Sequence, residues 1–383
     1  MTKAAYINDI ASFLPNNPVT NDEIENVLGM INGQKSRSRR IVLKNNGIKE
    51  RYYAIDPSTG KFTHNNAQLA SQAIVNLTQR SGLSLDKVDC LTCGTSSPDQ
   101  IQPAHGHMVQ GELKMHPCEV VTTAGVCLSG MSAMKYAYLN ILSGLSKEAI
   151  SSGSEFVSSC MRASNFETED SEKVEALNKK PSLAFEKDFL RWMLSDGAGA
   201  ALISDKPNKD RLSLRIDWID ILSYSGELPV CMYAGTEKRE DGTMEGWREV
   251  DDPYQVVDRH YLSLKQDARI LEEYIMPKSA DALKTICEKR NFNGNNITWF
   301  LPHYSSLFFR SRLHDSLVDK GVGIDYEKWF TNMQRIGNVG SASMYLILEE
   351  LFYSDRLKKG DTLLCYVPES ARFSICYMHI TVV

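Results

Sequence analysis

The feature that most constrains this chain is an internal repeat, because three short segments recur in the same order in its two halves. The first is an apolar strand that closes on a serine pair, and the second is a turn of small residues that leads into an amphipathic helix. The third is a strand that ends in a loop carrying a glutamate. Equivalent positions lie 209 residues apart in the first pair (Ser96 and Ser305) and 214 apart in the third (Glu155 and Glu369). The paired segments are 88–97 with 297–306, 124–144 with 336–355, and 147–155 with 360–370.

Each half therefore has the order strand, turn, helix, strand, which is typical of α/β layers in which helices cover a sheet. We predict an α/β fold of two pseudo-repeated halves, residues 1–205 and 206–383, that form a layered α/β/α/β/α core with mixed sheets. Two polar, weakly periodic stretches, 160–195 and 225–265, interrupt the repeat. We expect these insertions to shape an entrance or a dimer surface.

The repeat also predicts one shared functional site. Loops at the carboxyl ends of strands converge in α/β sheets, so reactive side chains collect there. In this chain such loops carry Cys127 in the first half and His303 and Asn338 in the second. Cys127 lies between an apolar strand and a helix, where backbone N–H groups and the helix dipole favour a thiolate, so we expect a lowered pKa for this thiol.

Taken singly, these residues have plainer interpretations: Cys127 as a small hydrophobe in a packed turn, and Asn338 as a turn former beside Gly337 and Gly340. Together they can perform two kinds of acyl chemistry. In a hydrolase, Asn orients His and His deprotonates Cys. In a carbon–carbon condensing enzyme, Cys takes an acyl group from a thioester, while His and Asn stabilise the enolate of a second thioester. The repeat favours condensation, because His303 and Asn338 come from the same half and face Cys127 as a pair.

Composition limits the remaining classes of protein. The chain has 43 basic and 48 acidic residues, a formal net charge of −5, which argues against a binder of duplex nucleic acid. Its hydrophobic share of 42% suffices for a large core. Neither a signal peptide nor an apolar run of membrane-spanning length occurs in the sequence, so we expect no membrane partner.

The cysteines predict free thiols. There are nine of them, an odd number spread along the chain, which indicates a reducing cytoplasm rather than a disulfide framework. Cys90 and Cys93 form a C-x-x-C pair, but the pair lies in an apolar run that predicts a buried strand, and no second pair follows at zinc-ribbon spacing. His105 and His107 lack a nearby third ligand of clear type. We therefore predict no metal site.

Several segments, in order along almost the whole chain, resemble the ketoacyl synthase III branch of the thiolase-like superfamily. AGVCLSG around Cys127 resembles the active-site cysteine turn, WFLPHYSS around His303 the histidine loop, and RIGNVGSAS around Asn338 the asparagine loop. SDGAGAALIS and NNGIKERYYA resemble two further segments of that branch. The resemblance implies a thiolase-like fold, an acyl group carried on Cys127, and activation of the extender thioester by His303 and Asn338. It also implies phosphopantetheine thioesters as substrates, no further cofactor, and a homodimer.

Two departures from the branch bear on the oxyanion hole and the substrate. A glycine-rich loop of the branch supplies one oxyanion-hole N–H; the matching stretch here is YVPESARFSIC, so the resemblance implies the backbone of Cys127 together with that of Ser370 or Ala371. The residues that clamp the adenine of coenzyme A in the branch correspond to Ile41 and Asn45, which favours an acyl carrier protein thioester as donor. We expect a basic segment to dock this acidic partner, with a solvated surface as the alternative. Its cations are Lys35, Arg37, Arg39, Arg40, Lys44, Lys49 and Arg51.

The basic insertion, LRWMLSDGAGA and PESARF together resemble the ketosynthase-cyclases of dialkylresorcinol, stilbene and aryl-polyene pathways. This resemblance implies that two β-ketoacyl-type thioesters condense and close a cyclohexanedione ring, with Glu155 assisting proton transfer near the thiol. Capping of a turn is the alternative role for Glu155. The alternative within condensing enzymes is a fatty-acid initiating synthase that joins an acyl primer to malonyl carrier protein. A non-catalytic ketosynthase-like dimer partner and a papain-like peptidase are weaker alternatives, since all three polar residues are present and the peptidase cysteine signature is absent.

Overall fold

A computed structural model of the protein describes residues 3–166, 175 and 190–383. Its long central strands consist of apolar and small residues, which suits strands covered on both faces of a sheet. The strands are β1 (Ala5–Phe13), β2 (Val19–Thr20), β3 (Glu50–Arg51), β4 (Cys90–Thr95), β5 (Glu119–Ala124), β6 (Glu148–Glu155), β7 (Gly197–Ser204), β8 (Leu214–Ser223), β9 (Met232–Tyr233), β10 (Thr236–Lys238), β11 (Met244–Gly246), β12 (Lys265–Gln266), β13 (Trp299–Pro302), β14 (Thr362–Glu369) and β15 (Ser374–Val382).

Nine of these strands form one mixed sheet in the order β13, β14, β15, β8, β1, β7, β6, β4, β5. The order is mirrored about the antiparallel contact between β1 and β8. Moving outward, β7, β6 and β4 follow β1 on one side, and β15, β14 and β13 follow β8 on the other. Parallel pairing joins β4 to β6 and β13 to β14, whereas β6–β7 and β14–β15 are antiparallel. The two halves therefore repeat in strand direction as well as in strand order.

The helices of the described ranges are α1 (Ile24–Leu28), α2 (Arg39–Asn46), α3 (Asn66–Ser81), α4 (His105–Glu112), α5 (Leu128–Ser143), α6 (Ser158–Met161), α7 (Pro253–Asp258), α8 (Ala268–Arg290), α9 (Phe308–Asp319), α10 (Met333–Ile336) and α11 (Ser343–Phe352). Side-chain caps explain where the long helices begin. Asn65 caps α3 by accepting a hydrogen bond from the N–H of Gln68, and Asp267 caps α8 in the same way. None of the described helices combines the length and the apolar character that a membrane crossing needs.

The helices form three layers around the strands. Helices α3 and α4 cover the outer face of the first half, and α8 and α9 pack together on the outer face of the second. Between the halves, α5 contacts β4 and β6 as well as β14 and β15, while α11 contacts β1, β7 and β13. The predicted α/β fold with a layered α/β/α/β/α core is confirmed. The strands of the two halves are joined into one sheet at β1 and β8.

The second half contributes one strand fewer to the sheet than the first half does. In the first half, β5 pairs with β4 at the sheet edge. At the equivalent edge of the second half, the described residues form only an isolated parallel bridge between Phe300 and Trp329. The chain before Trp329 turns through a short 3-10 helix, Tyr326–Lys328, instead of extending beside β13. The repeat predicted from sequence is therefore complete in the strands that carry the site and incomplete at this edge.

The two halves also pack closely where the main chain of Ser341 passes over two glycines. A Cβ atom built on Gly130 of α5 would lie 2.0 Å from the carbonyl oxygen of Ser341, and one built on Gly153 of β6 would lie 2.4 Å from it. The hydroxyl of Ser341 also donates a hydrogen bond to the carbonyl of Ser154 at 2.9 Å. Only glycine leaves room for this contact, which seats the loop after α10 against both α5 and β6.

We predict that Gly153→Ala lowers the free energy of unfolding by about 1–3 kcal/mol, because its methyl group must displace the Ser341 main chain. The matched control is Gly111→Ala in α4, where a Cβ meets nothing within 4 Å and alanine is the better helix former. Urea denaturation followed by circular dichroism measures both variants. An unchanged midpoint for Gly153→Ala would contradict the close contact between the halves.

Candidate active site

Residues from both halves line one cavity of about 70 Å³. Cys127 comes from the first half, whereas His303 and Asn338 come from the second, so the structure brings together the three residues that the sequence singles out. Glu155 and Ser370 also lie in the wall. The rest of the wall is mainly apolar and includes Leu190, Met193, Met232, Leu264, Met276 and Phe309.

Cys127 directly precedes α5 and is half-buried. Burial in the protein and the nearby carboxylates of Glu155 and Glu369 raise the pKa of its thiol above the ordinary value. The expected lowering of this pKa is therefore wrong. Desolvation and two negative neighbours outweigh the backbone N–H groups and the dipole at the start of α5. The thiol is protonated at neutral pH and needs a base in order to react.

His303 follows β13, and the main chain fixes its position. Its N–H donates a hydrogen bond to the carbonyl of Tyr366 on β14 at 2.8 Å. The residue is only 4% exposed, and burial lowers the pKa of the imidazole to about 4. The ring is therefore neutral at neutral pH, and it makes no hydrogen bond to another described residue. One ring nitrogen can accept a proton while the other donates a hydrogen bond to a ligand.

Asn338 lies in the loop that follows α10. Its main chain is held on both sides, since its N–H donates to the carbonyl of Met193 at 3.1 Å and its carbonyl accepts from the N–H of Ser195 at 2.9 Å. The side-chain oxygen accepts a hydrogen bond from the N–H of Gly340 at 2.9 Å. This bond assigns the side-chain NH₂ as the group that can donate to a ligand in the cavity.

Glu155 ends β6 and is fully buried. Its carboxylate accepts hydrogen bonds from the hydroxyls of Ser96 and Ser97 at 2.6 and 2.7 Å and from the N–H of Ser341 at 3.1 Å. Burial is the largest cause of its raised pKa, and these hydrogen bonds oppose it. Glu155 therefore anchors the loop after β4 and the loop that carries Asn338, and it also reaches the cavity.

The structure distinguishes the two candidates for the second oxyanion-hole donor. Ser370 follows β14 and lines the cavity. The N–H of Ala371 instead donates to the carboxylate of Glu369 at 2.5 Å. The prediction that includes Ala371 is therefore wrong, because its only main-chain donor is already bound within the protein. The backbone N–H groups of Cys127 and Ser370 remain as candidates.

The cations of the basic segment do not form one exposed patch. Arg51 is buried, and its guanidinium donates to the side chain of Asn21 at 2.8 Å and to the carbonyl of Trp192 at 3.3 Å. Its prediction as a docking residue is wrong, because β3 turns it into the interior. Arg39 is half-buried and paired with the buried Glu25 at 3.1 Å. The exposed members of the segment are Lys35, Arg37, Arg40, Lys44 and Lys49.

Sequence reasoning assigns no role to two features of the site. Glu369 ends β14 as Glu155 ends β6, and only the repeat draws attention to it. Met232 and Leu264 belong to the insertion 225–265, whose short strands β9 and β12 pair with each other. This insertion forms part of the cavity wall, although its sequence is polar and outside the repeat. Residues 167–174 and 176–189, most of the other insertion, lie outside the described residues.

Sequence comparison links the chain to ketoacyl synthases. The family 3-oxoacyl-[acyl-carrier-protein] synthase III C terminal matches residues 287–367, which include His303 and Asn338. The β-ketoacyl-[acyl-carrier-protein] synthase III of Chlorobaculum tepidum is 22% identical over 360 residues, which are 94% of each chain. A second such synthase, from Halalkalibacterium halodurans, is 24% identical over 364 residues, 94% of this chain and 92% of its own. The chain is thus similar to ketoacyl synthase III enzymes. The predicted class, a condensing acyltransferase, is confirmed by these relatives.

Solved structures match almost the whole chain in fold. The tetronic acid condensing enzyme AbyA1 has a TM-score of 0.74 at 18% identity and covers 98% of this chain and 99% of its own. OleA of Xanthomonas campestris has a TM-score of 0.73 at 17% identity, with 99% of both chains covered. The 3-oxoacyl-[acyl-carrier-protein] synthase III of Aquifex aeolicus has a TM-score of 0.70 at 19% identity, covering 98% and 99%. At these identities the likeness concerns the fold, and it confirms the predicted thiolase-like architecture.

We predict that alkylation of Cys127 by iodoacetamide is slow at pH 7 and still accelerates above about pH 8.5, the ordinary pKa of a cysteine thiol. The reason is that burial and the two carboxylates disfavour the thiolate. Peptide-resolved mass spectrometry measures the rate. The exposed thiol of Cys160 is the internal control that the reagent is active at each pH. A rate that is already at its plateau by pH 7 would indicate a lowered pKa and contradict this electrostatic account.

Proposed function

We propose that the protein is a condensing enzyme that joins two thioester-bound acyl groups by a Claisen condensation. The observation that carries this proposal is that His303 and Asn338 line the same cavity as Cys127 and are not bonded to each other. Both can therefore donate to one carbonyl oxygen of a substrate. In this proposal the half 1–205 supplies the nucleophile, and the half 206–383 supplies the pair that stabilises the enolate.

The first step is acylation of Cys127. The neutral imidazole of His303 accepts the thiol proton as the sulfur attacks the donor thioester, and it returns that proton to the leaving carrier thiol. The new bond joins sulfur to the acyl carbon, and the bond from the acyl carbon to the carrier sulfur breaks. The N–H groups of Cys127 and Ser370 stabilise the oxyanion formed in between.

The second step forms the carbon–carbon bond. The carbonyl oxygen of a second thioester accepts hydrogen bonds from the His303 ring and from the NH₂ of Asn338. The enolate forms by loss of carbon dioxide from a malonyl-type substrate, or by transfer of a proton from a β-ketoacyl-type one to the carboxylate of Glu155. Its carbon attacks the acyl carbon on Cys127, and the carbon–sulfur bond breaks. The Cys127 sulfur then takes up a proton, from Glu155 in the β-ketoacyl case and from water in the malonyl case.

The same three residue types could form a hydrolytic triad, and the side-chain contacts oppose this. In such a triad the Asn oxygen accepts a hydrogen bond from the His ring and orients it. The oxygen of Asn338 accepts from the N–H of Gly340 instead. The His303 ring is free of described protein partners. Condensation therefore accounts for this arrangement better than hydrolysis does.

The acyl groups are proposed to arrive on an acyl carrier protein. The cavity of about 70 Å³ has room for roughly five water-sized groups, so a short acyl chain fits it directly. Longer chains require the flexible side chains of Met193, Met232 and Met276 to move aside, which methionine does readily. Closure of a cyclohexanedione ring is the finer proposal, with Glu155 assisting a second proton transfer.

The sequence relatives favour a second candidate, the initiation of fatty-acid synthesis. Each of the two relatives described above is named a β-ketoacyl-[acyl-carrier-protein] synthase III. In that function a short acyl primer on Cys127 condenses with malonyl carrier protein and gives a linear product. A non-catalytic dimer partner is the weaker alternative, since it gives no role to the three polar residues of the cavity.

We propose a homodimer that forms along β5, the edge strand of the first half. Strand β5 pairs with β4 on one side and ends the sheet on the other. Its residues are half-exposed or exposed, and Leu139 on the adjacent α5 is 49% exposed. An unpaired edge strand with exposed apolar neighbours is a surface that a second chain covers readily.

We predict that Asn338→Asp retains acylation of Cys127 but lowers the rate of condensation by about 100-fold or more, because one enolate-stabilising donor is lost. Aspartate keeps the acceptor for the N–H of Gly340, so the loop stays in place. Intact-protein mass spectrometry measures acylation, and chromatography of the product measures condensation.

The matched control is Asn295→Asp, which changes an exposed asparagine in the same half. It should leave both rates unchanged. Cys127→Ala should abolish the adduct, whereas Cys160→Ala should not. Undiminished condensation by Asn338→Asp, or the same acyl adduct on Cys127→Ala, would contradict the proposed function.

We predict that the double charge reversal Arg37→Glu with Arg40→Glu slows acyl transfer from carrier protein by about 3–10-fold at low salt, since complementary charge steers such encounters. Transfer from a small pantetheine thioester should be unchanged. The control reverses Lys358 and Lys359, exposed residues that precede β14, at the end of this strand opposite Glu369. Equal slowing with both donors would indicate that the basic segment shapes the pocket instead of docking the carrier.

A further inference from the structure

We propose that Glu369 is a positioning residue that holds the turn between β14 and β15. In this position the main-chain N–H of Ser370 faces the oxygen of the reacting thioester carbonyl. This inference rests on the proposed acyl transfer at Cys127. It assigns a role in the reaction to a side chain that the resemblance to ketoacyl synthases leaves without one, and it explains how a turn without the glycine-rich sequence of that branch can supply an oxyanion-hole donor.

The carboxylate of Glu369 organises the whole turn. It is 8% exposed and accepts hydrogen bonds from three main-chain N–H groups: those of Ala371 at 2.5 Å, Arg372 at 3.3 Å and Ser374 at 3.2 Å. A buried carboxylate is costly unless it is hydrogen-bonded in this way. These bonds occupy three of the main-chain donors that follow Ser370 in the turn, and none of them involves the N–H of Ser370 itself.

The turn needs such support because its backbone is strained. Phe373 has a φ of 61°, in the left-handed region that a bulky residue seldom adopts. Three further bonds hold the turn from outside. The carbonyl of Phe373 accepts from the N–H of Tyr224 at 2.9 Å, and the carbonyl of Ala371 accepts from the N–H groups of Cys231 at 2.8 Å and Met232 at 3.2 Å. The N–H of Ser370 has no acceptor in the part of the protein that the structure describes. It is therefore free to bind an oxyanion.

The charge of Glu369 and its hydrogen bonds act on the reaction in opposite directions. A negative carboxylate near Cys127 disfavours both the thiolate and the oxyanion. The three N–H bonds favour the reaction by presenting the Ser370 donor. Removal of the charge alone would therefore speed acylation, whereas loosening of the turn would slow it. This opposition separates a positioning role from a purely electrostatic one.

The test compares four variants by the rate of Cys127 acylation. Glu369→Gln keeps the shape, removes the charge and can satisfy fewer of the three N–H groups. Glu369→Asp can still bond the N–H two residues onward, as aspartate does in turns. Ser370→Pro removes the proposed donor at a position where the preceding residue is already extended. Ser370→Ala is its matched control, because it removes the hydroxyl and keeps the N–H.

We expect Ser370→Pro to lower the maximal acylation rate by about 100-fold, the usual cost of one oxyanion-hole donor, with little change in the donor concentration for half-maximal rate. Ser370→Ala, which keeps the N–H, should lose far less acylation rate than Ser370→Pro, and Glu369→Asp should be partly active. Glu369→Gln alone should lower the maximal acylation rate by about 10–100-fold. Added to Ser370→Pro, it should lower that rate little further, since the effects of residues that act as one unit are not additive.

Hydrogen–deuterium exchange of the segment 366–376 gives a readout independent of activity. Glu369→Gln should speed exchange of the amides of Ala371, Arg372 and Ser374. Faster acylation by Glu369→Gln, unchanged exchange, or fully additive losses with Ser370→Pro would overturn the positioning role. Failure of the unchanged protein to form any adduct on Cys127 would instead overturn the proposed function, and the exchange result would still decide whether Glu369 holds the turn.

Discussion

The contact of the Ser341 main chain with Gly130 and Gly153 is the constraint on which the rest of the site depends. It is made between the two halves, because Ser341 belongs to the second and both glycines to the first. Asn338 lies three residues before Ser341, and Cys127 lies three residues before Gly130. Because neither glycine has a side chain, the loop and the helix can pack at backbone distance. The same contact therefore joins the halves and sets Asn338 beside Cys127.

The second organising feature is that the reactive groups in the cavity are uncharged before substrate binds. Burial keeps the His303 ring neutral, and burial together with Glu155 and Glu369 keeps the Cys127 thiol protonated. Such a thiol is unreactive until a base stands beside it and a thioester is in place. The negative charge that develops on the substrate must then be stabilised by preorganised N–H groups, which act strongly in a buried site. Glu155 and Glu369 preorganise these donors by fixing the loops and turns that carry them.

Much of this architecture follows from the sequence because its repeat has a physical cause. Strands β4 and β13, and β6 and β14, must fill equivalent layers, so their apolar patterns and loop ends agree, and the meeting of Cys127, His303 and Asn338 follows from that. The pKa of Cys127 could not be predicted, because the burial that raises it, and the carboxylates of other strands that add to it, arise only on folding. Arg51 and Ala371 were mispredicted for a similar reason: the burial of one and the hydrogen bond of the other arise only on folding. The contribution of the insertion 225–265 to the cavity wall could not be predicted, since short strands with few apolar residues show little hydrophobic periodicity in the sequence.

The most direct test of the account is a crystal structure of the Cys127 acyl-enzyme with an unreactive analogue of a malonyl thioester. We predict that the acyl oxygen lies about 2.7–3.1 Å from the main-chain nitrogens of Cys127 and Ser370, the range expected of oxyanion-hole donors. We also predict that the thioester carbonyl of the analogue accepts hydrogen bonds from both His303 and Asn338. A thioester carbonyl bound away from this pair, or an acyl group attached to a residue other than Cys127, would contradict the claim that the two halves build one condensing site.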